Sequence, residues 1–92
     1  MRSYLIIYDI EDNKRRNKIF KLLKRYATHA QYSVFHALVK EEDIIRIKND
    51  IKKIINKEED SVMIVELCLR CANTIEYYGK KIEIYGEGDI MI

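Results

Sequence analysis

Asp9 closes an apolar run, "SYLIIYD", and the chain then turns basic: Lys14, Arg15 and Arg16 follow, with Lys18, Lys21, Lys24 and Arg25 soon after. A carboxylate is a hard oxygen donor suited to Mg²⁺ or Mn²⁺. Clustered cations suit phosphate oxygens. Together these residue types fit phosphodiester chemistry, in which a divalent ion polarises the phosphate and activates a water. One aspartate does not make such a site. Two copies of the chain meeting on a two-fold axis would bring two, and close carboxylates repel unless a proton or cation lies between them. Asp9 is therefore the candidate catalytic and metal-holding residue. Lys14, Arg15 and Arg16 are the candidate nucleic-acid contacts. Net charge is only +2, so the signal lies in the local cluster; a solvated helix face would look the same by charge alone.

A second stretch, "QYSVFHALV" (Gln31 to Val39), alternates like a strand yet carries polar residues. Gln31 and Ser33 are candidates to bond the backbone near the end of the first strand, supporting Asp9. Val34, Phe35 and Leu38 fill core or interface. Tyr8, beside Asp9, is a candidate to lie near substrate, although tyrosine in a strand commonly packs. No separate general base stands out; His29 and His36 are the candidates by type, and imidazole is an odd partner for a hard cation. Cys68 and Cys71 form a lone C-x-x-C. Two sulfurs do not close a tetrahedral zinc site, and the expectation is buried packing or no special role.

The elements that must position these residues follow from periodicity. Residues 3–10 read as a strand rich in β-branched and aromatic side chains. Asp12 or Asn13 can cap a helix whose apolar stripe is Ile19, Leu22, Leu23 and Tyr26. The "QYSVFHALV" region is extended, as one bent strand or a tight hairpin. Residues 41–56 form a second helix, with Ile44, Ile47, Ile51, Ile54 and Ile55 on one face. Residues 60–67 are another strand, followed by a short irregular piece. "IEYYG" and "KIEIYG" read as short strands with Gly79 at or near the turn. The fold class is α+β: a ferredoxin-like sandwich, βαββαβ with an extra C-terminal strand, two helices lying on one face of the sheet.

Ninety-two residues make one domain spanning 1–92, and a chain this short buries only about 60–65% of its unfolded surface. No apolar run approaches the length of a membrane span, so the expectation is a cytoplasmic protein without membrane contact. In the first strand Tyr4, Ile6, Tyr8 and Ile10 face one way, and Leu5, Ile7 and Asp9 the other. Both sets are apolar apart from Asp9, and residues 62–65 are apolar on both faces as well. Two helices cover only one face. An uncovered apolar face marks an interface, which predicts a homodimer whose sheets meet face to face.

Taken together, "YDIEDNKRRNKI", "QYSVF" and "DSVMIVELCLRC" with the later "YYG" resemble the CRISPR-associated protein two family across almost the whole chain. The resemblance implies a ferredoxin-like homodimer whose C-terminal strand, about residues 80–92, is exchanged with the partner's sheet. It implies metal-dependent phosphodiester hydrolysis of RNA or double-stranded DNA, with Mg²⁺ or Mn²⁺. It also implies a role in spacer acquisition, bridging units of the CRISPR integrase with duplex DNA across the assembly. A scaffold that binds duplex DNA without cutting is the alternative it leaves open. By position Asp9 matches the family's metal-binding and catalytic aspartate, Arg15 and Arg16 the basic pair after it, with Arg16 the better match, and Ser33 and Phe35 the middle of the signature. The chain departs at Ala27, His29 and His36, where the family often has glycine, arginine and glutamate.

Overall fold

A computed structural model describes residues 1–79. Its elements are β1 (Arg2–Asp9), α1 (Asn13–Lys24), β2 (Ala27–Gln31), β3 (Val34–Val39), α2 (Glu41–Ile54), β4 (Ser61–Leu67) and the short α3 (Leu69–Ala72). Four strands form one sheet in the order β2-β3-β1-β4, and every neighbouring pair is antiparallel. The α1 and α2 crossovers each skip one strand, which is the ferredoxin-like arrangement. The "QYSVFHALV" region takes the hairpin form: β2 and β3 pair directly, with a register shift between His29 and Gln31.

Alternation decides what lies under the helices. Tyr4, Ile6, Tyr8 and Ile10 join Phe35, Ala37 and Val39 of β3 in one buried cluster. Ile19, Leu22 and Leu23 from α1 and Ile44, Ile47 and Ile51 from α2 complete it. These positions belong to the two stripes read from the sequence. Tyr26, Ile54 and Ile55 pack at its margin, only partly buried.

The opposite face is largely open among the described residues, although Ser3 at one end of it is buried and α3 packs against β1 and β4. Leu38, Met63 and Val65 are exposed there, and Leu5, Ile7, Val34 and His36 are partly so. The register gathers these side chains: Leu5 stands between His36 and Val65, and Ile7 between Val34 and Met63. Ser3 is buried, with its hydroxyl oxygen 2.6 Å from His36 Nε2.

Two expectations change beyond β4. The residues after Leu67 are not irregular but make one helical turn. The segment "IEYYG" is not a strand: residues 75–78 alternate in burial, but no described strand pairs with them, and unpaired extended backbone is not sheet. Gly79 does carry a turn-like φ of 82°. The strand expected at "KIEIYG" and its exchange with a partner lie outside the described residues. Among the described residues no helix is long and apolar enough to cross a membrane.

Candidate functional site

Four segments meet at one end of the sheet. β1 ends at Asp9, which pairs in register with Ser61 at the start of β4. The β2–β3 turn arrives beside them, where the Tyr8 N–H donates to the Ser33 carbonyl at 3.0 Å. α1 begins just beyond, at Asn13, and the Asp12 carboxylate caps it by accepting from the Arg15 N–H at 2.9 Å. Asp9 itself is exposed and shares the face of Leu5 and Ile7, at the rim of the uncovered apolar surface.

The start of α1 is electrostatically unusual. A helix N-terminus carries the positive end of the backbone dipole and favours acidic residues. α2 obeys this, with Glu41, Glu42 and Asp43 in its first turn and Lys52 and Lys53 in its last. α1 has no acidic residue in its first turn, and Lys14, Arg15 and Arg16 stand there instead. Cations and dipole add there, opposed in part by the capping Asp12 carboxylate.

The two arginines differ in how that charge is used. Arg15 Nε donates to Asp60 at 2.7 Å, and its Nη2 donates to both Asp60 at 3.2 Å and Glu59 at 3.1 Å. The Asp60 side chain is only 1% exposed. It also accepts from the Asn56 N–H at 2.8 Å, so it anchors the turn that leads out of α2. The Arg15 hydrogen bond, followed by the Asn56 N–H, holds the Asp60 carboxyl below the usual carboxylate range. The Arg15 guanidinium is raised in turn, chiefly by the same bond. Arg15 therefore fastens α1 to the start of β4, and within one chain its charge is matched by carboxylates. Asp60 is the residue that sequence reasoning missed. Its partner lies 45 positions away, and only the pairing of β1 with β4 brings them together.

Arg16 bonds differently. Its Nη1 donates to the Ile10 and Glu11 carbonyls, each at 3.1 Å, and its Nη2 donates to the Asn13 side-chain oxygen. These partners are neutral. Among the described residues no carboxylate pairs with Arg16, so the loop after Asp9 is held rigid by a cation whose charge stays uncompensated. Lys14 is exposed beside it.

The remaining candidates fall elsewhere. Tyr8 faces the helices, buried against Phe35 with ring centroids 6.3 Å apart; alternation sends it away from Asp9's face, which corrects the reading that places it near substrate. Burial pushes its phenol above the ordinary value, opposed by the Arg16 charge. Phe35 is fully buried core, stacked on His29 at 4.8 Å and edge-on to Phe20 at 5.5 Å. Ser33 reaches the end of β1, but through its carbonyl rather than its hydroxyl. Gln31 is exposed, and no hydrogen bond to its side chain is formed among the described residues. His29 Nε2 lies 2.6 Å from the Tyr32 carbonyl and closes the hairpin turn. His36 stands opposite Leu5, four strand residues from Asp9, or about 13 Å at a strand's rise. Neither imidazole serves Asp9 within one chain. Cys68 and Cys71 are exposed, which removes the buried-packing half of the expectation.

Among the described residues no group of three His, Cys, Asp or Glu side chains could hold a metal ion. A single copy offers Asp9 alone. Its exposed, hard carboxylate oxygens suit a divalent cation, but the donor set needs more oxygen ligands than one chain brings there.

Comparison with known proteins bears on this arrangement. The family model for CRISPR associated protein Cas2 matches residues 1–75. The chain is 34% identical to CRISPR-associated endoribonuclease Cas2 3 of Chloroflexus aurantiacus, over 96% of this chain and 88% of that one. Its fold is similar to Streptococcus pyogenes Cas2, with a TM-score of 0.77 and 27% identity, covering 84% of this chain and 99% of that one. It is also similar to a chain of a partial Cas6-RT-Cas1–Cas2 complex, with a TM-score of 0.72 and 31% identity over 84% of this chain and 90% of that one.

Proposed function

Because this chain belongs to the CRISPR-associated Cas2 family, we propose that it serves CRISPR adaptation as a homodimeric, metal-dependent endonuclease acting with the CRISPR integrase. The observation that carries the reading is the place of Asp9: exposed, at the rim of an apolar sheet face that stays largely open in the described chain. Two copies joined through that face bring two Asp9 carboxylates toward one axis. Asp9 and its symmetry mate would hold Mg²⁺ or Mn²⁺ between them, the cation relieving the repulsion the two carboxylates would otherwise meet. When bound, the cation offsets charge on phosphoryl oxygens and eases deprotonation of water.

The chain's own residues supply the rest. Lys14 and Arg16 lie at the positive end of α1 and bind the phosphate backbone on either side of the target bond. Arg16 also fixes the carbonyls of Ile10 and Glu11, which sets where Asp9 points. Arg15, matched by Asp60, chiefly positions α1. The substrate is RNA or double-stranded DNA. The name endoribonuclease carried by the Chloroflexus relative supports RNA, and the likeness to a chain of a complex named for Cas1–Cas2 supports the integrase as partner.

A second reading is favoured by one observation: among the described residues Asp9 belongs to no group of three His, Cys, Asp or Glu side chains that could hold a metal. A site so sparse fits a scaffold that spaces integrase units and grips duplex DNA through phosphate contacts, without cutting.

The deciding experiment is cleavage of RNA and duplex DNA across a series of metals and pH, with Asp9→Asn beside the wild type. Cleavage that needs Mg²⁺ or Mn²⁺ and falls at least ~100-fold in Asp9→Asn is the expected result. Wild-type protein inert in every metal, yet able to bind duplex DNA, would leave the scaffold alone.

A further inference from the structure

β4 ends at Leu67 and passes directly into Cys68, whose extended backbone caps the single helical turn Leu69–Ala72. Cys71 lies on that turn. Its N–H donates to Cys68 Sγ at 3.2 Å and holds the first sulfur against the second residue. Both thiols are exposed and free, and they are the two cysteines of the whole chain. Cysteine kept for packing is usually buried. These two add nothing to the core cluster, and neither approaches the Asp9 end of the sheet, since β4 starts there and they follow its far end.

We propose that Cys68 and Cys71 form a redox-active dithiol that closes reversibly into an intramolecular disulfide by exchange with a small-molecule disulfide. A disulfide needs Cβ atoms about 3.5–4.5 Å apart, and the Cys71 N–H already holds Cys68 Sγ at 3.2 Å against the turn that carries the second thiol. A slight tightening of one exposed turn is enough.

The two sulfurs are not equivalent. The hydrogen bond with Cys71, joined by backbone N–H groups, lowers the Cys68 thiol from its ordinary value. The same partnership raises Cys71. The thiolate is the nucleophile, so Cys68 attacks first. It bonds to one sulfur of RSSR, the S–S bond of the reagent breaks, and RS⁻ leaves. Cys71 then loses its proton to water and attacks Cys68 Sγ, displacing the second RS⁻. Two protein thiols are oxidised to one disulfide, and the small disulfide is reduced to two thiols, which take up the two protons. The bond fixes the turn through which the chain leaves β4.

The test uses the full chain with oxidised glutathione, read by intact mass and iodoacetamide uptake. Wild-type protein should lose the mass of two hydrogen atoms and take up no label, at a rate independent of protein concentration, and dithiothreitol should restore both thiols. Cys71→Ser should accumulate one glutathione adduct at Cys68. Cys68→Ser should react ~10-fold more slowly. Both positions are exposed, so the variants fold, and unchanged circular dichroism checks this. Wild-type protein that retains two glutathione adducts, or that links copies instead of closing on itself, would overturn the proposal. So would equal reaction rates for the two single variants.

Discussion

On the helical face of the sheet Ile6, Phe35 and Ala37 are fully buried, whereas Leu38 and Met63, on the opposite face, are 56% and 54% exposed. Both faces are apolar, because β1, β3 and β4 place large hydrophobic residues at odd and even positions alike. The covered face is completed by the stripes of α1 and α2. The uncovered one holds a polar pair, Ser3 and His36, amid leucine, isoleucine, methionine and valine. The contrast separates what the chain needs in order to fold from what it keeps for another surface. Isolated apolar residues on a surface are ordinary, but a contiguous set on one sheet face marks an interface.

The sharpest way to break this comparison is to truncate one side chain on each face. Phe35→Ala removes a ring packed against Tyr8, His29 and Phe20 and should cost about 3–5 kcal/mol in denaturant unfolding. Leu38→Ala, already open to solvent, should change the monomer's stability by less than about 0.5 kcal/mol. Equal losses at the two positions would mean that the faces are not distinct in the way their burial indicates.

Charge on the open face tests association instead of folding. Met63→Lys leaves the covered core intact. In a face-to-face dimer, symmetry would place two such cations in the apolar seam. Burying unpaired charge costs several kcal/mol, and each ~1.4 kcal/mol is tenfold in affinity. The dimer dissociation constant should rise at least ~100-fold by sedimentation equilibrium. Unchanged association would show that copies do not meet through this face.

The link between α1 and β4 gives a third test, because Arg15 and Asp60 fasten the helical layer onto the end of the covered face. Asp60→Ala leaves Arg15 without its main partner and frees the turn at Asn56, and should lower Tm by on the order of 10 °C. Arg16→Ala leaves that lock alone. It should instead reduce the slope of duplex affinity against salt by about one. If the two substitutions had the same effects on melting and on salt dependence, the division of labour between the arginines would fail.

Much of the fold was legible because its signals are periodic. The stripe of Ile19, Leu22 and Leu23, the isoleucines of α2 and the two-sided apolar strands carry the helix and strand periods directly. Alternation also places Asp9 on the face of Leu5 and Ile7 and away from Tyr8. Less of the site was legible, because its geometry depends on register. Nothing local tells Arg15 from Arg16; the distinction arises when β4 pairs with β1 and delivers Asp60 beside the first turn of α1. Ser33 acts through its carbonyl, and a sequence does not say which atom of a residue is used. His36 could be placed on a strand but not at a distance from Asp9 until the hairpin turn was fixed. The C-x-x-C was visible, whereas its exposure was not.

The smallest expected effect lies at the centre of the uncovered face. Burial lowers the His36 imidazole from its ordinary value of 6.5. As pH falls below that value the unfolded chain takes up a proton that the folded chain resists, so folded stability must decline. His36 therefore contributes stability that is whole above about 6.5 and is lost as pH drops through the folded value. Unfolding measured from neutral pH into the mildly acidic range should show a downward bend, and His36→Gln should flatten it. Asp60 has the same sign, since its carboxyl is also depressed, but it titrates at more acidic pH and does not confuse the window. The effect is small because His36 is only partly buried in one copy. A second copy laid on this face would bury the ring further, so the bend should steepen at protein concentrations where copies associate. A bend of the same size at every concentration would place His36 outside the interface, and with it the middle of the face that the dimer is proposed to use.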